Sequence, residues 1–513
     1  MLKKKKIGKT VIPKFLLGIT LSVLTVLILR SGYMGTTSSV SASGAGSHPQ
    51  LQSAQDCDRE PTGVDTSDYW LHFNVPPGLM PDQQFDSKPA KLQVHRVKPV
   101  YAHGKCQGIP NRAIVLIHGR TGPGPVAFDL RHPTAEDPEG GKLSLQESLA
   151  RAGIDTFAPS LLGYGRSTRF DNGLNDPCNA SLPAYNADGS CSFAEGCDRS
   201  FIPSAFPLNQ QTSALGVNPL AGQRCTHSSG HRFARMDVWT RDITQVIDDA
   251  IARARPDNNK VVLLGFSLGG VSVARTLYRL GNQAEDKVQR VVFLSAIFNR
   301  NPTGRNDLPT EEDELPPEAK STSFPMALSG RAGITSLPIS PAREPVCTGR
   351  ISPGVRDDFW EQLMKLDVLG RDWGGNDPSN PDGLLRSPTF SNYGSNPAVA
   401  ATFTIPTLVL HGLDDILAPT PNSNDLFNAL TRVTNKVLVQ VGCGGHTMQI
   451  EDCSGARCDD GDPKTTPYGG DSQIWAGPHS TTAAALIEWI KHGTFNGAGS
   501  GRFVINDSGV VSN

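Results

Sequence analysis

The chain has no C-x-x-C pair, so neither a zinc ribbon nor a thioredoxin-type redox site has much support. It also has no internal repeat and no large excess of charge, with a formal net charge of −2 over 513 residues. Acidic residues are missing from the first 42 positions, which carry seven basic side chains. The rest of the chain therefore carries 41 basic and 50 acidic side chains. A mildly acidic body of this kind does not favour nucleic-acid binding.

The basic N-terminus has the layout of an export signal. Four consecutive lysines lead into an apolar run over residues 15–29, which is short for a membrane span, and small residues follow at 40–42. This pattern predicts a signal peptide over residues 1–42, and the alternative is an uncleaved N-terminal anchor. Either reading makes the body secreted or extracytoplasmic, with membrane contact only through this segment.

Cysteine usage agrees with export. All ten cysteines lie after residue 42, and the even number predicts disulfides in an oxidising compartment. Cys191 with Cys197, and Cys453 with Cys458, are close pairs in polar loops where short bridges would clip insertions. The full connectivity is not readable from the sequence.

The pentapeptide 265–269, of sequence GFSLG, carries the strongest chemical signal. An apolar run over 261–264 precedes it and a helical pattern follows it, so Ser267 sits between a buried strand and a helix. This is the G-x-S-x-G pattern, in which a sharp turn lifts a serine hydroxyl out of the sheet. The flanking glycines are needed because a Cβ there would keep strand and helix apart. Ser267 is therefore the candidate nucleophile.

Other polar groups follow other predicted strands, at the edge where open α/β sheets place their sites. The strand 113–117 is followed by His118, the strand 155–159 by the loop 163–167, the strand 407–410 by Asp414 and Asp415, and the strand 436–441 by His446. A serine nucleophile needs a base, and the base needs an orienting acid. The order Ser, acid, His along the chain supplies all three.

Together these motifs resemble the α/β-hydrolase fold, over residues 65–167, 235–298 and 403–492. The resemblance implies a mostly parallel central sheet with helices on both faces and a lid or cap insertion. It implies Ser267 as nucleophile, His446 as base, with His479 a distant alternative, and Asp415 as acid, because in the family's acid loop the aspartate stands three residues after the glycine. Asp414 is the alternative acid.

The resemblance also implies an oxyanion hole made by backbone N–H groups. One donor is Leu268, and the other is Arg120, with Thr121 as its alternative. Arg120 departs from the family, where an apolar residue or glycine is common. We expect its side chain to face solvent, and the alternative is contact with an anionic substrate. No metal or organic cofactor is required.

The function implied is cleavage of a carboxylic ester (EC 3.1.1, carboxylesterase or lipase-like) through an acyl-enzyme, with a small-molecule ester or related acyl compound as substrate. An acyltransferase would use the same triad, and so would a capped aminopeptidase, for which Glu311–Glu314 could bind the substrate amine. A non-catalytic binding protein on the same fold is the alternative from another class. The sequence leaves acyl and alcohol preference and oligomeric state open.

The boundaries predicted from composition and periodicity divide the chain into six parts. They are the signal peptide or anchor 1–42, a flexible linker 43–64, the first part of the core 65–298 with a cysteine-rich insertion 168–234, a lid or cap 299–402, the second part of the core 403–492, and a loose C-terminal tail 493–513.

Overall fold

A computed structural model describes most of the body of the chain. The described residues are 57–80, 83–120, 122–176, 236–298, 326–331, 334, 354–374, 382–388, 395–451, 475, 477–507 and 509–513. All of them belong to one compact unit, residues 56–513, of the two units into which the chain divides. The signal or anchor segment, most of the cysteine-rich insertion, the pairs Cys191–Cys197 and Cys453–Cys458, and Glu311–Glu314 lie outside them.

A ten-stranded sheet forms the centre of this unit. Its strands are β1 (Gly63–Asn74), β2 (Pro89–Val100), β3 (Arg112–Ile117), β4 (Ile154–Ser160), β5 (Val261–Phe266), β6 (Val288–Leu294), β9 (Thr407–Gly412), β10 (Lys436–Val441), β11 (Gly501–Ile505) and β12 (Val511–Ser512). A separate two-stranded sheet pairs β7 (Met326–Ser329) with β8 (Leu385–Pro388). The order in the large sheet is β1-β2-β4-β3-β5-β6-β9-β10-β11-β12. The seven strands from β4 to β11 run parallel. Strand β2 pairs antiparallel with β4, β1 pairs antiparallel with β2, and β12 pairs antiparallel with β11.

The described residues form ten α-helices, several of which cover the two faces of this sheet. They are α1 (Gly124–Phe128), α2 (Leu145–Arg151), α3 (Met236–Ala254), α4 (Leu268–Leu280), α5 (Gln283–Lys287), α6 (Val355–Leu366), α7 (Val368–Gly374), α8 (Pro397–Ala400), α9 (Thr420–Ala429) and α10 (Gly477–His492). Alternate side chains of β3 belong to two different apolar clusters, because successive side chains of a strand point to opposite faces. One cluster contains the apolar faces of α3 and α4, and the other those of α2 and α10.

The structure confirms the predicted fold class, a mostly parallel sheet between helical layers. Strands β1 and β2 pair antiparallel, and they contain the segments 69–74 and 92–97, in which apolar and polar residues alternate. The helix α3 spans the segment in which the sequence shows helical spacing, and its apolar residues are buried there. The continuous apolar runs within Val261–Phe266 and Thr407–Gly412 form central parallel strands. They are apolar throughout because both faces of the sheet are covered there.

Three predicted boundaries differ from the structure. The tail is not loose, because β11 pairs in parallel with β10 and buries Phe503 and Ile505. The end of the linker is ordered, since β1 begins at Gly63 and a disulfide joins Cys57 to Cys106. Residues 168–176, assigned to the insertion, belong to the packed body: the Thr168 N–H donates to the Lys91 carbonyl of β2.

Part of the predicted cap packs against the core. Helix α6 buries Phe359, Trp360 and Leu363 in a cluster with Val126 of α1 and other residues near the end of β3. A Cβ built on Gly122, in the loop after β3, would lie 3.7 Å from a methyl group of Leu363. The described part of the cap therefore lies against the loop that follows β3. Within the described residues, no helix has the length and apolar character to cross a bilayer.

Candidate active site

The turn at Ser267 shows why its neighbours are glycines. Ser267 has φ 55° and ψ −123°, a backbone conformation rare for a residue with a side chain, between β5 and α4. A Cβ on Gly265 would lie 2.7 Å from the Gly269 carbonyl oxygen, and a Cβ on Gly269 would lie 2.4 Å from the Ile117 carbonyl oxygen. Only glycine lets β5, α4 and β3 approach this closely. The strained turn presents the serine at the carboxyl edge of the sheet.

Three side chains from three strand ends meet at this turn. The Ser267 Oγ lies 2.8 Å from His446 Nε2, and His446 Nδ1 lies 2.8 Å from Asp415 Oδ2. The other carboxylate oxygen, Asp415 Oδ1, accepts the backbone N–H groups of Leu417 (2.9 Å) and Ala418 (2.8 Å). All three side chains are buried. The carboxylate is thus fixed toward the imidazole, and the imidazole toward the hydroxyl.

The alternatives to this trio lie elsewhere. Asp414 is buried rather than solvated, and its backbone N–H donates to the Gly444 carbonyl, whereas the contact with His446 is made by Asp415. His479 is buried in the first turn of α10, where its Nδ1 donates to the Gln449 carbonyl at 2.5 Å. The structure therefore brings together Ser267, His446 and Asp415, as the sequence predicts.

The loop after β3 passes directly over the serine. A Cβ on Gly119 would lie 2.9 Å from the Ser267 Cβ and 3.3 Å from its Oγ. His118 braces this loop: its Nδ1–H donates to the Gly119 carbonyl (2.7 Å), and its Nε2 accepts the Leu161 N–H (3.1 Å). Burial lowers the pKa of His118 to about 4, so the ring stays neutral and suits this pairing.

The two predicted oxyanion donors flank Ser267. Leu268 is the first residue of α4, whose N-terminal N–H groups have no carbonyl one turn earlier to bond. Arg120 follows Gly119 in the loop above the serine. Among the described residues, neither backbone N–H group has a hydrogen-bond partner. Both are therefore free to donate to a substrate oxygen, and Thr121, the alternative donor, lies outside the described residues.

The side chain of Arg120 departs from the prediction that it faces solvent. Burial lowers the pKa of its guanidinium, and the residue keeps only intermediate accessibility. A side chain that is mostly enclosed by protein but partly accessible to solvent, as that of Arg120 is, lines a cleft and does not extend from an open surface. The fold around the loop encloses it, and no local sequence pattern carries that information.

One residue at the site was not anticipated from the sequence. Glu451 is buried, and its carboxylate accepts N–H groups from both neighbours of His446, Gly445 at 2.7 Å and Thr447 at 3.1 Å. It also accepts the Thr447 hydroxyl at 3.1 Å. The histidine loop is thus held on both sides by one buried acid. The only sequence signal was a glutamate close after the glycine-rich loop.

The fold and the site together define a serine-nucleophile arrangement on an α/β sheet. Residues 112–452 match the profile described as the alpha/beta hydrolase fold, and the chain belongs to that family. Within the described residues no cluster of three His, Cys, Asp or Glu side chains is placed to hold a metal ion. The motifs in the sequence and the family match indicate the same fold.

Several solved structures are similar to the chain at low sequence identity. A thioesterase domain from the curacin biosynthetic pathway is 15% identical, with 75% of this chain and 95% of that chain covered and a TM-score of 0.35. The monoacylglycerol lipase of Paleococcus ferrophilus is 15% identical, with 83% and 98% covered and a TM-score of 0.33. An esterase from Exiguobacterium antarcticum is 14% identical, with 70% and 90% covered and a TM-score of 0.30. A search of curated proteins gave no match.

Proposed function

We propose that this protein is a serine hydrolase that cleaves a carboxylic ester through an acyl-enzyme. The observation that carries the proposal is the chain of two 2.8 Å contacts from Ser267 Oγ through His446 to Asp415. A serine hydroxyl is a weak nucleophile unless a base accepts its proton, and the base must be held in one tautomer. Asp415 faces Nδ1, which leaves Nε2 as the acceptor for the serine proton.

The reaction proceeds in two halves. Ser267 Oγ attacks the carbonyl carbon while its proton moves to His446 Nε2, and the N–H groups of Leu268 and Arg120 bind the oxyanion. The tetrahedral intermediate expels the alkoxide, which takes the proton from His446. Water then gives a proton to His446 and attacks the acyl-enzyme, and the second intermediate releases the carboxylic acid as Ser267 regains its proton. These steps need no metal or organic cofactor, so activity should survive a chelator.

Covalent labelling tests the nucleophile directly. A fluorophosphonate probe should label the wild-type protein and should not label Ser267→Ala. Ser272→Ala is the matched control, because this buried serine lies in the same helix α4 and its Oγ faces the Leu268 carbonyl at 3.5 Å. The control should label like the wild type. Absence of labelling in the wild type would overturn the enzyme reading and favour a binding protein on this fold.

A panel of p-nitrophenyl esters of increasing acyl length then tests the reaction type. Turnover in water without an acceptor supports the hydrolase, whereas turnover that depends on an added alcohol or thiol identifies an acyltransferase. Amino-acid arylamides test the aminopeptidase alternative. Asp415→Asn should lower kcat by ~10⁴-fold, as loss of the orienting acid does in serine proteases, and Asp414→Asn should not. Equal losses in the two variants would contradict the assignment of the acid.

We also propose that the protein works outside the cytoplasm. The basic and apolar N-terminus supports this, and so does the disulfide between Cys57 and Cys106, because such bonds persist in oxidising compartments. Fractionation of cells that express the full chain is the test. Recovery of the protein in the cytoplasm with reduced thiols would contradict the proposal. A shortened N-terminus in secreted protein would distinguish a signal peptide from an anchor.

A further inference from the structure

Arg120 lies at the edge of the sheet that carries Ser267, because the preceding residue, Gly119, packs against the serine. Gly119 packs directly on Ser267, so close that a Cβ on Gly119 would lie 2.9 Å from the serine Cβ. Arg120 is the next residue in the chain, so its backbone lies one residue away from the glycine that contacts the nucleophile. Its side chain is enclosed by protein but keeps intermediate accessibility, as expected for a residue that lines a cleft.

The charge of Arg120 has no counter-charge in the described part of the chain. None of the carboxylates there forms an ion pair or a hydrogen bond with its guanidinium. Other buried arginines of this protein do have one: Arg275 Nε lies 3.1 Å from Asp237, and Arg386 Nη2 lies 2.5 Å from Asp367. An enclosed charge without a partner costs free energy. Arg120 is therefore a candidate binding group for an anion that lies outside the described residues.

Tyr164 lies close to Arg120 and to a second arginine. Tyr164 lies within electrostatic range of both Arg120 and Arg169, and its buried hydroxyl has no hydrogen-bond partner among the described residues. Arg169 and Arg386 share one carboxylate, that of Asp367. Arg169 thus has a carboxylate partner, whereas Arg120 has none among the described residues.

We propose that the substrate carries a carboxylate that binds Arg120, and that this enzyme selects anionic esters, such as half esters of dicarboxylic acids. The proposal rests on the function proposed above, because it assigns the substrate class of the same site. A guanidinium can hold a carboxylate through two parallel N–H bonds, which fixes direction as well as charge. The backbone N–H of the same residue is a predicted oxyanion donor, so the carboxylate lies a few carbons from the scissile carbonyl.

Matched ester pairs test the proposal. The mono-p-nitrophenyl ester of glutaric acid is compared with p-nitrophenyl pentanoate, which places the charge on the acyl side. 4-Acetoxybenzoate is compared with its methyl ester, which places the charge on the leaving group. We expect wild-type kcat/KM to favour the anionic member of one pair by ~10- to 100-fold, the range for hydrogen bonds to charged groups. The pair that shows the preference identifies the side on which the carboxylate binds.

The readout in the variants is the ratio of the two kcat/KM values, which cancels any loss that both esters share. Arg120→Met should bring the ratio to about one or below, and Arg120→Lys should restore part of it. Arg166→Met is the matched control, because Arg166 is exposed in the loop after β4, and its ratio should stay as in the wild type. A wild-type ratio near one in both pairs, or an unchanged ratio in Arg120→Met, would overturn the proposal.

A binding measurement separates this proposal from the proposed function. Ser267→Ala protein, which cannot form an acyl-enzyme, should bind glutarate or 4-hydroxybenzoate by calorimetry, and the double variant with Arg120→Met should not. Binding that depends on Arg120 supports the anion site even if fluorophosphonate labelling fails. Labelling of the wild type together with no binding of either carboxylate would refute the anion site and leave the hydrolase intact.

Discussion

His95 should make the stability of this protein fall as the pH rises. The ring lies on β2 between two carboxylates, with Nδ1 2.8 Å from Asp68 and Nε2 2.8 Å from Asp129. Burial disfavours the charged ring, but the hydrogen bonds to Asp129 and Asp68 outweigh it and raise the pKa of His95 to about 9. A neutral imidazole donates from one nitrogen alone. After deprotonation, one buried ring nitrogen of His95 has no proton, and its lone pair faces a carboxylate oxygen.

The size of the effect follows from the two pKa values. The pKa of His95 is about 9 in the folded protein and 6.5 in the reference state, a difference worth ~3 kcal/mol. Because the folded pKa is the higher one, the stabilisation is complete below pH 6.5 and is lost as the pH rises through about 9. Arg131 lies 2.7 Å from Asp129 and helps to keep that carboxylate charged throughout.

Urea unfolding followed by tryptophan fluorescence, from about pH 6 to about pH 9.5, measures this loss. The wild type should lose ~3 kcal/mol of unfolding free energy over that range. His95→Gln should be less stable at the acid end and should approach the wild type at the alkaline end. Parallel curves for the two proteins would show that His95 is not charged in the folded state and would refute the reasoning.

Three further substitutions follow from single contacts. Glu451→Gln should lower kcat by ~10-fold and cost ~1–3 kcal/mol of unfolding free energy, because the new amide NH2 faces a backbone N–H donor of the loop that holds His446; an unchanged kcat would contradict this. Asp367→Asn should cost ~3–5 kcal/mol in urea unfolding, since two buried arginines lose the carboxylate that they share; a loss under ~1 kcal/mol would contradict it. Gly269→Ala places a Cβ 2.4 Å from a β3 carbonyl and should destabilise by ~3 kcal/mol, whereas Gly63→Ala, with open space around it, should not.

The elements that could be predicted are those whose constraints are local in the sequence. The turn at Ser267 requires glycine two residues before and two residues after the serine. The apolar runs that precede Ser267 and His446 indicate strands that are buried on both faces. The resemblance to the family's acid loop, with its aspartate three residues after the glycine, favours Asp415 over the adjacent Asp414. In the structure the Asp414 N–H donates to the Gly444 carbonyl, and the Asp415 carboxylate contacts the imidazole of His446.

The elements that were missed depend on partners distant in the chain. Strand β11 reads as a loose glycine-rich tail, and it is a strand because β10 offers a free edge, with Val437 opposite Gly501 and Val439 opposite Phe503. Glu451 acquires its position from the loop it braces. The enclosure of Arg120 depends on the fold around its loop, where Tyr164 lies close to it. None of these conditions leaves a periodic signal in the sequence.

On the proposal made for Arg120, one residue would serve two parts of the reaction. Its backbone N–H is a predicted donor to the oxyanion, and its side chain would hold a carboxylate of the same substrate. A substrate fixed at the guanidinium is then positioned relative to the oxyanion donor by the short covalent path through a single residue. Correct placement is worth most in the transition state, where the carbonyl oxygen becomes charged. The anionic ester should therefore gain in kcat as well as in KM, and a gain confined to KM would mean that the carboxylate binds without orienting the carbonyl.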